Sequence, residues 1–265
     1  MSPAKPARTR IQEPLRKKDT ATRKRKKKPA AKGRNAAASA KPRDFTGHAR
    51  PAARGKAGGA APFAGARYTL SIHDPHLLPP PGAPEIAFAG RSNAGKSSAI
   101  NTLAGQRRLA FVSKTPGRTQ LINFFTLGSS AFLVDLPGYG YAGVPGAVRD
   151  HWKFLVGTYV AERSSLAAVI VVMDARHPLT DLDRTLLQWL HTAGRQAHVL
   201  LTKADKLSKQ AAQVTLGKVR RDLARDFPNA TVQLFSSLKR DGVEEAARRI
   251  KDLVGGKTKA PPKGE

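Results

Sequence analysis

The sequence predicts an α/β fold, a mixed and mostly parallel six-stranded sheet with helices on both faces. Three observations lead there. Short apolar runs rich in β-branched and aromatic residues alternate with helix-like stretches from residue 85 to residue 254. Such alternation builds a mainly parallel sheet covered on both sides. The first run leads directly into a glycine-rich segment and then a helix pattern. Two later runs are separated by three residues only. That is too short for a crossover, so this pair is expected to form an antiparallel hairpin.

The elements follow in chain order. Residues 1–60 carry 19 Lys and Arg against Glu13, Asp19 and Asp44, with six consecutive cations at 23–28 and almost no large apolar residue. Such a segment cannot bury enough surface to offset its ordering entropy. Residues 1–63 therefore read as a disordered basic arm, suited to tethering on RNA. One globular domain is expected over 64–256 and a short polar tail over 257–265. Within the domain, strands are expected at 85–89, 121–127, 131–136, 167–174, 197–202 and 231–235. Helices are expected at 96–103, 148–163, 181–192, 209–226 and 243–254.

Composition narrows the function classes. The 265 residues contain 47 Lys and Arg against 19 Asp and Glu, a formal charge of +28. The residues beyond the arm are also basic, with 28 cations against 16 acids. A protein this basic suits a polyanion, and nucleic acid leads. Cysteine is absent, which excludes disulfides and thiolate chemistry. No apolar run reaches the roughly 18–20 residues of a membrane span. The first thirty residues lack the apolar core of a secretory signal, and their lysine-rich sequence lacks the amphipathic stripe of a transit peptide. A cytoplasmic protein without a membrane partner is expected, a monomer in the simplest reading.

The glycine-rich segment is Gly90, Arg91, Ser92, Asn93, Ala94, Gly95, Lys96, Ser97, the pattern G-x-x-x-x-G-K-S between a strand and a helix. Its amides and the helix N-terminus should cradle phosphates. Lys96 should bridge the β- and γ-phosphates, and the Ser97 hydroxyl should coordinate Mg²⁺. Downstream, Asp135, Leu136, Pro137 and Gly138 form D-x-x-G at a strand end. Asp135 is placed to hold Mg²⁺ through water, and the Gly138 amide to sense the γ-phosphate. Between these motifs lies the loop Lys114-Thr-Pro-Gly-Arg-Thr-Gln120. Thr119 is chosen to complete the Mg²⁺ shell, with Thr115 as the alternative. Thr202, Lys203, Ala204 and Asp205 read T-K-x-D after another strand. A carboxylate can accept from both N1–H and the N2 amine of guanine, which adenine does not offer. Asp205 fits that role, with the Lys203 stem along the base. Phe235, Ser236 and Ser237 end the next strand, and backbone N–H groups near Ser236 and Ser237 could donate to guanine O6.

Together these residues resemble the EngB family of bacterial ribosome-assembly GTP-binding proteins, within the TrmE-Era-EngA-EngB-like P-loop GTPases. The resemblance rests on Glu85–Ser98, Lys114–Gln120, the run Asp135-Leu-Pro-Gly-Tyr-Gly-Tyr-Ala142 and Thr202–Asp205. It covers about residues 65–255 and leaves out the arm. Ala94 departs from the Val expected in many members, without loss of polar chemistry. The resemblance implies a Ras-like GTPase domain, Mg²⁺-dependent binding of GTP and GDP, and a role in assembling the large ribosomal subunit. It also implies involvement in cell division and septation. It extends the nucleotide set to Gly117, Arg118, Gln120 and Leu121.

Ras-like enzymes orient water with a glutamine after the D-x-x-G glycine. Tyr139 stands there in this sequence, so slow intrinsic turnover is expected, with acceleration by a partner or by an ion. Asn93 matches a P-loop position that some related GTPases use to ligate K⁺. Lys96, Thr119 and Asn93 are thus the candidate catalytic residues. Asn93 could equally brace the loop, and Arg118 could be either an arginine finger or a solvated cation. Tyr139 and Tyr141 occupy a glycine-rich stretch that suggests a mobile loop, either stacking on RNA or packing. Asp174, Asp181 and Asp183 read as strand-end and helix-cap residues. Two other functional classes stay open: an RNA-binding module using GTP structurally, and a cell-division interaction protein.

Overall fold

The computed structural model describes residues 61–110, 121–127, 131–140 and 146–256. The arm up to residue 60, the loop carrying Thr115, Gly117, Arg118, Thr119 and Gln120, residue Tyr141 and the tail 257–265 lie outside the described residues.

The sheet has seven strands where the sequence reading expects six. They are β1 (Arg67–Ile72), β2 (Glu85–Gly90), β3 (Ile122–Leu127), β4 (Ala131–Asp135), β5 (Leu166–Asp174), β6 (Gln196–Thr202) and β7 (Ala230–Leu234). The helices are α1 (Lys96–Ala104), α2 (Gly146–Glu162), α3 (Asp181–Thr192), α4 (Lys209–Asp226) and α5 (Val243–Gly255). The additional strand, β1, lies at the sheet edge and pairs antiparallel with β3. Its sequence alternates Tyr68, Leu70 and Ile72 with polar residues. That period of two is a strand signal, but the neighbouring Ala- and Gly-rich segment hides it. Packing against α1 starts at Phe63, which is buried and whose N–H donates to Leu103 O at 3.0 Å.

The strand order is β1-β3-β4-β2-β5-β6-β7. β3 runs antiparallel to both neighbours, and the pairs from β4 through β7 are parallel. After β2 the chain builds β3 and β4 on one side, then crosses to β5 on the other. The C-terminal end of β2 is therefore a topological switch point, where open α/β sheets place ligands.

Side-chain alternation divides the core into two layers. Ala87, Val134, Val169, Val171, Val199 and Leu201 pack with Leu155 and Tyr159 of α2, Leu186 and Leu190 of α3, and Val219 and Leu223 of α4. Ile86, Phe88, Leu133, Ile170, Val172 and Leu200 pack with Ile100 and Leu103 of α1 and with Ala246 and Ile250 of α5. Central β5 is covered on both faces, which explains why it reads as a continuous apolar run.

Candidate nucleotide-binding site

Five strand ends converge on the site. β2 ends at Gly90, where a Cβ would lie 2.6 Å from Val172 O, so only glycine allows β2 and β5 to approach this closely. Asn93 has φ 65° and Gly95 φ 102°, which turns the chain back into α1. The α1 N-terminus has no side-chain cap and no acid in its first turn, whereas Thr180 caps α3 and Ser208 caps α4. A positive helix end without an acidic residue in its first turn suits phosphate oxygens. Ala94 is buried beneath the loop.

The loop is braced from β6. Thr202 Oγ1 lies 2.5 Å from Ala94 O and 3.0 Å from Met173 O. Lys203, with φ 56°, donates from Nζ to Asn93 O at 2.6 Å and pairs with Asp174 at 3.0 Å. Asp174 also accepts from the Arg176 guanidinium. Partial burial pushes the Asp174 carboxyl up, but hydrogen bonds from Arg176 and Lys203 outweigh it and hold the group well below the usual range. Asp174 is thus a bracing residue of the site that its strand-end position did not reveal. Arg91 brings its Nε into the interior without a hydrogen-bond partner among the described residues.

Lys96 Nζ forms an ion pair with Asp135, and both side chains are largely buried. Ser97 opens α1 beside them. Among the described residues no group of three or more His, Cys, Asp or Glu could hold a metal. A hydroxyl and one carboxylate beside a phosphate cradle nevertheless fit Mg²⁺, which keeps few protein ligands and completes its shell with water and phosphate oxygens.

The D-x-x-G loop docks on the phosphate loop. Leu136 N–H donates to Phe88 O at 2.9 Å, Tyr139 N–H to Gly90 O at 3.3 Å, and Ser92 N–H to Tyr139 O at 2.8 Å. Gly138 lies against the phosphate loop: a Cβ there would make ordinary contacts, 3.4 Å from Ser92 Oγ and 3.5 Å from Gly90 O. Leu136 is buried, and Pro137 presents its carbonyl to Trp152. Tyr139 is buried as well, so it packs instead of standing exposed for RNA.

On the base side, Ala204 N–H donates to Phe235 O at 3.3 Å. The Ser236 hydroxyl donates to Asp205 Oδ1 at 2.6 Å and accepts from Lys239 N–H at 3.0 Å. The Ser236 N–H donates to Asp241 O at 2.9 Å. Of the backbone N–H groups near Ser236 and Ser237 considered for guanine O6, that of Ser236 is engaged by the closure of the loop on Asp241. Ser237 follows it in the same turn. Leu121 is half-buried just before β3.

Comparison with known proteins agrees with this geometry. A family profile described as a 50S ribosome-binding GTPase matches residues 85–203. The probable GTP-binding protein EngB of Methylobacillus flagellatus is 59% identical over 184 residues, spanning 69% of this chain and 89% of that protein. Its counterpart in Azoarcus sp. is 59% identical over 189 residues, spanning 71% and 90%. A crystal structure of a probable GTP-binding protein engB superposes with a TM-score of 0.53 at 23% identity, over 65% of this chain and 100% of that one; this likeness concerns the fold. Identity of this order over nearly the whole length of the relatives decides the assignment: the chain belongs to the EngB family of GTP-binding proteins, P-loop GTPases that bind and hydrolyse GTP.

Proposed function

We propose that this GTPase is a switch in assembly of the large ribosomal subunit, binding pre-ribosomal particles in one nucleotide state, and that cell division and septation depend on it. The observation that carries the switch is the docking of the D-x-x-G loop on the phosphate loop through Ser92, Tyr139 and Gly90. A γ-phosphate arriving at that seam would be met by the loop that those backbone bonds hold in place. The ribosomal partner is supported by the charge of +28 and by the description of the matching family. Ribosomal RNA is a polyanion, and a basic protein gains affinity for it by counterion release.

In this reading, residues 90–97 cradle the phosphates. Lys96 leaves Asp135 to bridge the β- and γ-oxygens, while Ser97 and Thr119 would hold Mg²⁺ directly and Asp135 through water, and the charge of the ion would offset that developing on the γ-phosphate. The Gly138 amide faces the γ-phosphate. Asp205 reads guanine, held by Ser236, and the Lys203 stem supports the base. Gly117, Arg118, Gln120 and Leu121 complete the nucleotide surroundings. Domain 64–256 carries this machinery. The basic arm 1–63 adds RNA affinity, and the tail 257–265 is a polar extension. The protein works as a cytoplasmic monomer.

Tyr139 carries no carboxamide to orient water. Intrinsic hydrolysis is therefore slow, and K⁺ held at Asn93 raises it. Single-turnover rates in K⁺ and Na⁺ test this; equal rates would remove Asn93 from the catalytic set. Depletion of the protein tests the biological role. The switch reading expects precursors of the large subunit to accumulate before septation fails. A septation defect with a normal ribosome profile would instead favour a cell-division interaction protein.

A further inference from the structure

The residue whose amide meets the γ-phosphate is held from both sides by side chains outside the nucleotide motifs. On one flank, Trp152 of α2 donates from Nε1 to Pro137 O at 2.8 Å. On the other, the Tyr139 hydroxyl donates to Asp183 Oδ1 of α3 at 2.8 Å. Pro137 and Tyr139 enclose a single residue, Gly138.

Neither anchor is free to drift. Asp183 is 1% exposed, and its second oxygen accepts from Thr180 N–H at 2.9 Å and from Thr180 Oγ1 at 2.8 Å. It is therefore fixed by the first turn of α3 through the capping box. Trp152 is fixed by its neighbours: the Tyr139 ring meets it edge-on at 5.5 Å, and Trp189 of α3 stacks on it at 5.8 Å. Burial, and then the charge of Asp183, push the Tyr139 hydroxyl up, so it remains a protonated donor. The phenol reaches Asp183 of α3, while the Tyr139 backbone contacts the phosphate loop; the Arg91 charge partly offsets the upward push on the hydroxyl.

We propose that Asp183 and Trp152 are positioning residues for γ-phosphate recognition: through Tyr139 and Pro137 they fix the Gly138 amide, and so set how well the protein distinguishes GTP from GDP. This rests on the assignment of Gly138 to the γ-phosphate made above. An amide aimed in advance at a charge avoids the cost of ordering on binding. Releasing one flank restores that cost for GTP alone, since GDP offers this amide nothing to meet.

The test compares affinities of the full chain for a non-hydrolysable GTP analogue and for GDP, both with Mg²⁺. Tyr139→Phe keeps the ring on Trp152 and removes the hydroxyl; Trp152→Phe removes the indole donor; Asp183→Asn changes the acceptor. Each is expected to weaken the analogue about tenfold, the scale of one hydrogen bond to a charged group, and to leave GDP within about twofold. An unchanged ratio of the two affinities in Tyr139→Phe would overturn the proposal, as would equal loss of both nucleotides. If either of the other two variants fails to fold, Tyr139→Phe decides alone, because it deletes one atom from an intact packing. Gly138→Pro, which removes the N–H itself, separates the assignment of Gly138 from its anchoring. If it leaves discrimination intact, the assignment of Gly138 falls and the proposal with it. If it abolishes discrimination while Tyr139→Phe does not, only the anchoring proposal falls.

Discussion

Asp205 and His198 are both polar groups fixed by neighbouring hydroxyls and amides, and their consequences differ. Asp205 is oriented by the Ser236 hydroxyl at 2.6 Å, and in the proposed function its remaining acceptors face the base. Asp205→Asn replaces an acceptor with a donor opposite N1–H and the N2 amine, and should lower GTP affinity by about 100-fold or more; equilibrium binding of GTP checks it. His198 lies between β6 and β7, bonded to Thr231 Oγ1 at 2.8 Å and Gln233 Oε1 at 2.9 Å. Gln233 Nε2 donates to Gly242 O, so Gln233 Oε1 accepts from His198 Nε2–H, and burial keeps the ring neutral. Burial lowers its pKa to about 4; the bond to Gln233 opposes this, and Arg249 adds to the lowering. Below about pH 6.5 the unfolded chain takes up a proton that the folded chain refuses. The contribution is complete above that pH and is lost as pH falls towards 4, up to roughly 3 kcal/mol. The melting temperature should therefore fall between pH 7 and pH 5, and His198→Gln should flatten that slope. The position of Asp205 just after β6 was legible because its motif follows a strand pattern. The occupied Ser236 N–H was not, because the closure on Asp241 depends on the three-dimensional path of the loop.

Helix α2 links the site to the far end of the sheet. Its N-terminal half holds Trp152, and beyond its C-terminus Arg163 pairs with buried Glu85 at 2.5 Å. Tyr159 and Ser165 also donate to Glu85, each at 2.7 Å, and Arg163 reaches Pro79 O at 2.6 Å. Arg195 donates to Val160 O and Ala161 O, satisfying carbonyls at the helix end, and to Leu166 O at the start of β5. Arg163→Met should cost about 3–5 kcal/mol, because it leaves the Glu85 carboxylate buried without its cation. Arg163→Met combined with Glu85→Leu should recover much of that loss. Urea unfolding of the two variants measures the difference, and a pair no more stable than the single variant would contradict the reading. The five helices and six strands were legible from periodicity. β1 was not, because an edge strand with three exposed positions gives a weak apolar signal. The Glu85–Arg163 pair joins residues 78 apart, a separation that no local pattern encodes.

Across the whole chain, charge is distributed on both sides of residue 60, so the arm and the domain both favour a polyanion. Deleting residues 1–60 should weaken RNA affinity and flatten its dependence on salt while leaving GTP affinity unchanged; RNA titrations at several salt concentrations check both parts. In the proposed function that charge is joined to the nucleotide site: the γ-phosphate decides when the protein engages a ribosomal partner. Co-sedimentation with purified large ribosomal subunits in the presence of GDP, a non-hydrolysable GTP analogue or no nucleotide tests this. Strong binding with the analogue and release with GDP, by about tenfold or more, are expected. Binding that is the same in all three states would contradict it.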